Sequence, residues 1–141
     1  MTPRRWIGAL LLTVLVGGCA PTRAPTDQVT ITFHFSHFTP DRVTVPAGVP
    51  VSFTLENDDP IAHEWIVGPP ALHQVHRTGT EAWHAGRPNE VSLAPFSTRA
   101  TTVVFDQLGE IDYICHLPGH EEYGMKGTVT VVPNDGRFAT R

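Results

Sequence analysis

Eleven residues, CHLPGHEEYGM from Cys115 to Met125, hold one of the chain's two cysteines, one of its two methionines and two of its eight histidines. Thiolate, imidazole and thioether are soft or borderline donors. Together they suit copper better than any other first-row metal. Four residues separate Cys115 from His120, and four more separate His120 from Met125. A loop of that size can fold back so that the three side chains converge. Pro118-Gly119 supplies a bend, and Gly124 lets the backbone turn just before Met125.

The remaining ligand must come from a second strand. His63, in NDDPIAHEWIV, follows a turn and begins a predicted strand, which makes it the best candidate. Two His and one Cys with a distant Met form a blue-copper arrangement. Zinc is the rival metal for Cys and His, but structural zinc prefers four Cys/His ligands and thioether suits it poorly. A binuclear copper centre would need a second cysteine in the loop. The plain alternative is a buried strand cysteine with His63 and His120 on the surface.

The elements that must position these residues read as strands. VTITFHF at 29–35 alternates Val29, Ile31, Phe33 and Phe35 with polar residues, the pattern of a half-buried strand. Further strands are expected at 42–45, 51–56, 64–67, 98–105, 110–115 and 127–132, with Gly/Pro turns between them. Seven or so short strands predict an all-β chain folded as a β-sandwich. No segment shows a helical period beyond a turn or so within 71–84. The stretch 68–97 reads as a long loop insertion, and such loops are functional or mobile. His73, His76 and His84 crowd it. One turn of helix would put His73 and His76 on one face, giving a candidate accessory metal site or copper-capture patch; the plainer reading is a polar surface loop. His34 and His37 flank a strand end and read as solvated.

The bulk numbers narrow the rest. At 141 residues there is room for one domain. The N-terminus, MTPRRWIGALLLTVLVGGC, joins Arg4 and Arg5 to an apolar run of roughly 11 residues, too short to span a bilayer, so it reads as a signal peptide. Its end, Val16-Gly17-Gly18-Cys19, resembles a bacterial lipobox, in which Cys19 would be lipidated. The expected organisation is a leader at 1–18, a lipidated tether at 19–28, the domain at 29–133 and a tail at 134–141. With Cys19 acylated, Cys115 has no disulfide partner, and metal ligation would protect it. The net charge of −4 becomes about −6 once Arg4 and Arg5 are removed. That argues against nucleic acid as a partner.

The Cys-x4-His-x4-Met loop, with FTPDRVTVPAGVPVSFTLENDDPIAHE before it, resembles the cupredoxins, small blue-copper proteins related to plastocyanin and azurin. The resemblance spans about residues 29–132. It implies a Greek-key β-sandwich holding one type 1 copper ion, with His63, Cys115 and His120 as equatorial ligands and Met125 as the weak axial one. Two departures stand out. Glu64 follows His63 where plastocyanin and azurin carry Asn. His116 follows Cys115; in multicopper oxidases that residue serves a trinuclear cluster, which needs His-x-His pairs that this chain lacks, so His116 reads as packed or surface.

What the resemblance implies for function is one-electron transfer in the cell envelope by a lipid-anchored monomer. Its partners would be redox proteins that meet the edge of His120, ringed by Leu117, Pro118, Pro69 and Pro70. No open coordination position is implied, so substrate turnover is not expected. The alternative is a copper-binding carrier or delivery lipoprotein.

Overall fold

The computed structural model describes residues 27–79 and 82–135. Cys19 and the leader lie outside the described residues, as does most of the C-terminal tail. β1 (Asp27–His34) is the first strand among the described residues. It pairs in register with β2 (His37–Thr39) on one side and runs parallel to β4 (Pro50–Asn57) on the other. β7 (Thr98–Val104) completes this first sheet, in the order β2-β1-β4-β7. The second sheet has the order β3-β9-β8-β5-β6. Its members are β3 (Arg42–Pro46), β5 (His63–Gly68), β6 (Glu90–Leu93), β8 (Gly109–Ile114) and β9 (Lys126–Val132).

Alternation drives the two sheets together. β4 buries Val51, Phe53 and Leu55 while the residues between them stay partly exposed, as a strand with one face on a core must. β1 adds Ile31 and Phe33. Facing them from the second sheet are Trp65 and Val67 of β5, Tyr113 of β8, and Val129 and Val131 of β9, all buried. Phe53 packs on Trp65 with ring centroids 4.9 Å apart. Enclosing a side chain of that size contributes about 2–3 kcal/mol.

Four sequence expectations need correction. The strand expected to run through Phe35 stops at His34. Phe35 and Ser36 both have positive φ, 51° and 55°, and form the turn of the β1–β2 hairpin. A two-residue turn with both central φ values positive is favoured between strands, but Asn-Gly usually fills it. Phe and Ser gave no such signal, and Phe35 ends 77% exposed.

The stretch 68–97 is not a strandless loop. It contains α1 (Pro70–Arg77) and the edge strand β6. The helical period was hidden because α1 turns His73 and His76 inward while Val75 is 55% exposed. β6 shows no alternation because all four of its residues are buried. The polar surface loop is therefore overturned as well: His73, His76 and His84 are each at most 5% exposed.

β5 explains where these residues go. Its first five residues are all buried. Trp65 and Val67 enter the core, while Glu64 on the other face meets the layer formed by α1 and the 82–90 segment, and Ile66 is buried outside the core cluster. A strand covered on both faces loses its alternation. Pro69 and Pro70, at the far end of β5 from His63, line a cleft with Phe105 and Leu108. Six residue steps from His63 to Pro69 put them roughly 20 Å from the end that carries His63. They do not ring His120.

Candidate metal centre

The Cys115–Met125 loop is wound tightly by its own backbone. The Cys115 N–H donates to the Met125 carbonyl (3.1 Å), and the Met125 N–H donates to the His120 carbonyl (2.9 Å). Between them the N–H groups of His120, Tyr123 and Gly124 donate to Leu117, Gly119 and Glu121, each at 3.0 Å. Gly119 and Gly124 carry φ of 84° and 96°, the left-handed values that glycine adopts without strain. These ties bring His120 back over Cys115. Met125, fully buried, joins the same apolar cluster as Cys115.

His63 arrives from β5. Its Nδ1 lies 3.1 Å from His120 Nδ1, and His120 Nδ1 lies 3.3 Å from Cys115 Sγ. The three donor atoms all fall within 4.8 Å of one another. The structure thus brings together His63, Cys115 and His120, with Met125 on the same loop. The surface reading of His63 does not hold, since it is completely buried.

Asp59 sets the orientation of His63, and no sequence pattern singled it out. Its Oδ2 lies 2.8 Å from His63 Nε2. A carboxylate oxygen accepts, so Nε2 carries the proton and Nδ1 presents its lone pair toward His120 and Cys115. The same carboxylate accepts the N–H groups of Phe35 (2.8 Å) and Ser36 (2.9 Å). It therefore holds both the positive-φ turn and the imidazole. Asn57 fixes Asp59 in turn: Asn57 Oδ1 accepts the Asp59 N–H, and Nδ2 donates to the carbonyls of Ile61 and Ala94. The available signal was the polar turn Asn57-Asp58-Asp59-Pro60 just before His63.

The electrostatics fit a cation. Burial pushes the Cys115 thiol up to about 12, although the Glu64 N–H donates to its sulfur at 3.3 Å. Burial also holds His63 below the ordinary imidazole value, despite Asp59. His120 is lowered by burial and then by its proximity to His63. For Asp59, burial alone would raise the carboxyl, but the Ser36 and Phe35 N–H groups and His63 more than offset it. Imidazole nitrogens held below their ordinary value converge with a buried sulfur that carries its proton only while no cation replaces it. A thiophilic cation is what such a set accommodates, and it would also release the thiol proton.

Glu64 and His116, the two departures noted in the sequence, point away from this centre. The Glu64 carboxylate lies 3.4 Å from His84 Nε2. His116 is packed: its Nε2 is 2.9 Å from His73 Nδ1, and its ring stacks on His76 with centroids 5.6 Å apart. Burial, then His73, lowers it to about 4. Of the accessory trio, His76 and His84 approach one another, but the third donor beside them is Glu90, which no sequence pattern announced. His73 is spent elsewhere, between His116 and the Asp112 carbonyl.

Among known proteins, a family model described as cupredoxin-like domain matches residues 7–131. A copper-resistant cuproprotein CopI of Pseudomonas aeruginosa is 26% identical, over 69% of this chain and 71% of its own. A copper-resistant cuproprotein CopI of Rubrivivax gelatinosus is 33% identical over 67% of this chain, and the match spans 59% of that relative's length. Among solved structures, auracyanin B superimposes with a TM-score of 0.64 at 23% identity, over 80% of this chain and 94% of its own.

Proposed function

The chain belongs to the cupredoxin-like domain family, with one type 1 copper ion as its cofactor, and we propose that it is a one-electron carrier whose metal is held by His63, Cys115, His120 and Met125. The observation that carries this reading is the convergence of two imidazole Nδ1 atoms on a buried cysteine sulfur, all within 4.8 Å. Bound copper supplies a one-electron couple there.

The chain's own part is to keep the donors still and dry. Asp59 locks His63, the Glu64 N–H steadies the sulfur, and the loop's backbone ties hold His120 and Met125. A ligand set that cannot relax has little to reorganise when charge changes. His120 is the partly exposed member of the set. Leu117 and Pro118 lie beside it in the chain, and Phe35 and Phe96, 77% and 71% exposed, flank the Asp59 turn. Such a small apolar end suits brief encounters with a redox protein.

Copper-loaded chain should therefore show an intense visible band from the Cys115 thiolate. Cys115→Ala should abolish it, while Met125→Leu should keep the copper at a raised potential, because the thioether tunes more than it holds. A copper-loaded chain with no strong visible band, and Cys115 still open to thiol reagents, would sink the reading.

A copper carrier is the second reading, favoured by the name of the CopI relatives and by the buried histidines under α1. Ready surrender of copper to a competing chelator would support it against electron transfer. Cys19 supports a lipid anchor in the cell envelope. Fatty-acid labelling should mark the wild type and not Cys19→Ser; label on the serine variant would refute the anchor.

A further inference from the structure

His76, His84 and Glu90 lie together beneath α1, all three at most 5% exposed. We propose that they form a second metal site, for a borderline divalent cation such as Zn2+ or Cu2+, coupled to the copper thiolate through Glu64. It rests on geometry separate from the copper ligands.

The hydrogen bonds fix which atoms are available. His76 Nδ1 is 2.9 Å from the Leu72 carbonyl, which only accepts. Nδ1 therefore carries the proton and Nε2 presents its lone pair. That lone pair faces Glu90 Oε2 at 3.4 Å. Two electron-rich atoms meet with no hydrogen bond between them or to any other described residue, each shut off from solvent. Leaving such groups unsatisfied in the interior costs about 1–3 kcal/mol apiece. A cation between them removes that cost.

His84 brings the third donor. Its Nδ1 is 3.6 Å from the same Glu90 oxygen, and its Nε2 is 3.4 Å from Glu64 Oε1. Bonds of about 2.0–2.1 Å at tetrahedral angles put neighbouring ligand atoms roughly 3.4 Å apart. The observed spacings match. Glu90 Oε1 is held by Arg87 at 2.8 Å, so the other oxygen can ligate while the carboxylate stays anchored. His84 is clamped by backbone bonds: its N–H donates to Ser92 Oγ and its carbonyl accepts the Ser92 N–H. A carboxylate behind a ligand imidazole, as Glu64 stands behind His84, orients the ring and raises its basicity.

Access and coupling are both present. His76 and Glu64 line an open cleft of about 540 Å³, with His116, Glu121 and Glu122 on its walls. Arg77, on the same wall, pairs with Glu121, so Glu64 and Glu122 are the carboxylates that favour a cation's approach. Glu64 also donates its backbone N–H to Cys115 Sγ. One residue therefore touches the sulfur at one end and His84 at the other. A positive charge bound at His84 should make the oxidised, more positive copper state less favourable and raise the potential of the type 1 couple.

The test uses the full chain with its type 1 copper in place. Zinc(II) and additional copper(II) are offered in separate titrations against a chelator of known affinity. One added equivalent should bind, and Glu90→Gln and His76→Ala should each weaken it at least 100-fold. The visible band, unchanged in both variants, reports that they fold. Zinc, being redox-silent, should raise the potential of the wild type and leave that of Glu90→Gln unmoved. Retention of neither metal, or equal retention by Glu90→Gln, would overturn the site and reduce the cluster to a buried polar packing. A bound equivalent with an unmoved potential would overturn the coupling. Absence of the visible band itself would strike the copper reading, while the metal count would still decide this one.

Discussion

Cys115 and His116 are neighbours in the chain and serve different regions. Strand alternation at the end of β8 sends the thiol into the sandwich, against Met125 and His63, and the imidazole outward onto the layer under α1. Both regions use the same device. A histidine gives one ring proton to a fixed oxygen and turns its other nitrogen toward further donors: His63 donates to the Asp59 carboxylate, His76 to the Leu72 carbonyl. They differ in how the chain assembles them. Three residues of the copper end come from one eleven-residue loop. The flank draws on α1, the segment after it and β6, each contributing one donor.

That difference decides what the sequence could show. The loop announced itself, since Cys, His and Met rarely fall at regular spacing unless they converge on a metal. His63 was readable as the histidine that opens a strand. The sandwich was readable because β1, β4 and β9 bury alternate residues. The flank was not readable, because α1 inverts the usual rule: its histidines are buried and Val75 is exposed. β5 and β6, covered on both faces, lose the alternation that would have located them. Glu90 looks like any surface glutamate until β6 pairs with β5 and encloses it. Asp59 was hidden for another reason. Its importance lies in three hydrogen bonds, two of them to a turn distant in sequence.

The comparison can be broken most sharply at Asp59. Asp59→Asn keeps one acceptor oxygen where three donors now converge. His63 should lose its fixed tautomer, and copper affinity should fall on the order of 10–100-fold, the usual loss when a ligand histidine's supporting carboxylate is removed. Stability should fall by about 1–3 kcal/mol as a buried N–H is orphaned. The metal count of the flank should not change. Copper affinity equal to wild type would show that the loop alone orients the ligands.

A smaller effect is expected from acid. In the metal-free chain His63, His73, His116 and His120 are all held below the ordinary imidazole value, burial being the largest cause for each. The unfolded chain takes up protons at about pH 6.5, and the folded chain resists. Stability is therefore full above that value and declines as pH falls below it, continuing toward about 4, where His116 titrates. Thermal unfolding of the metal-free chain between pH 7 and 4 should show the decline. Copper, binding only the folded state, should reduce it. A melting temperature flat across this range would mean that these rings are protonated at no cost.

Arg77 and Glu121 tie the two regions at the surface. Arg77, at the end of α1, meets both carboxylate oxygens of Glu121 through Nε and Nη2, and Glu121 follows His120 directly. An exposed pair of this kind is worth little as static stability. Its expected consequence is kinetic. The His120 segment can lift away from the sulfur only after this pair to the helix breaks, so the clasp should lengthen the time a metal stays enclosed. Salt, which loosens such clasps, then becomes a handle on release that leaves the ligands themselves untouched.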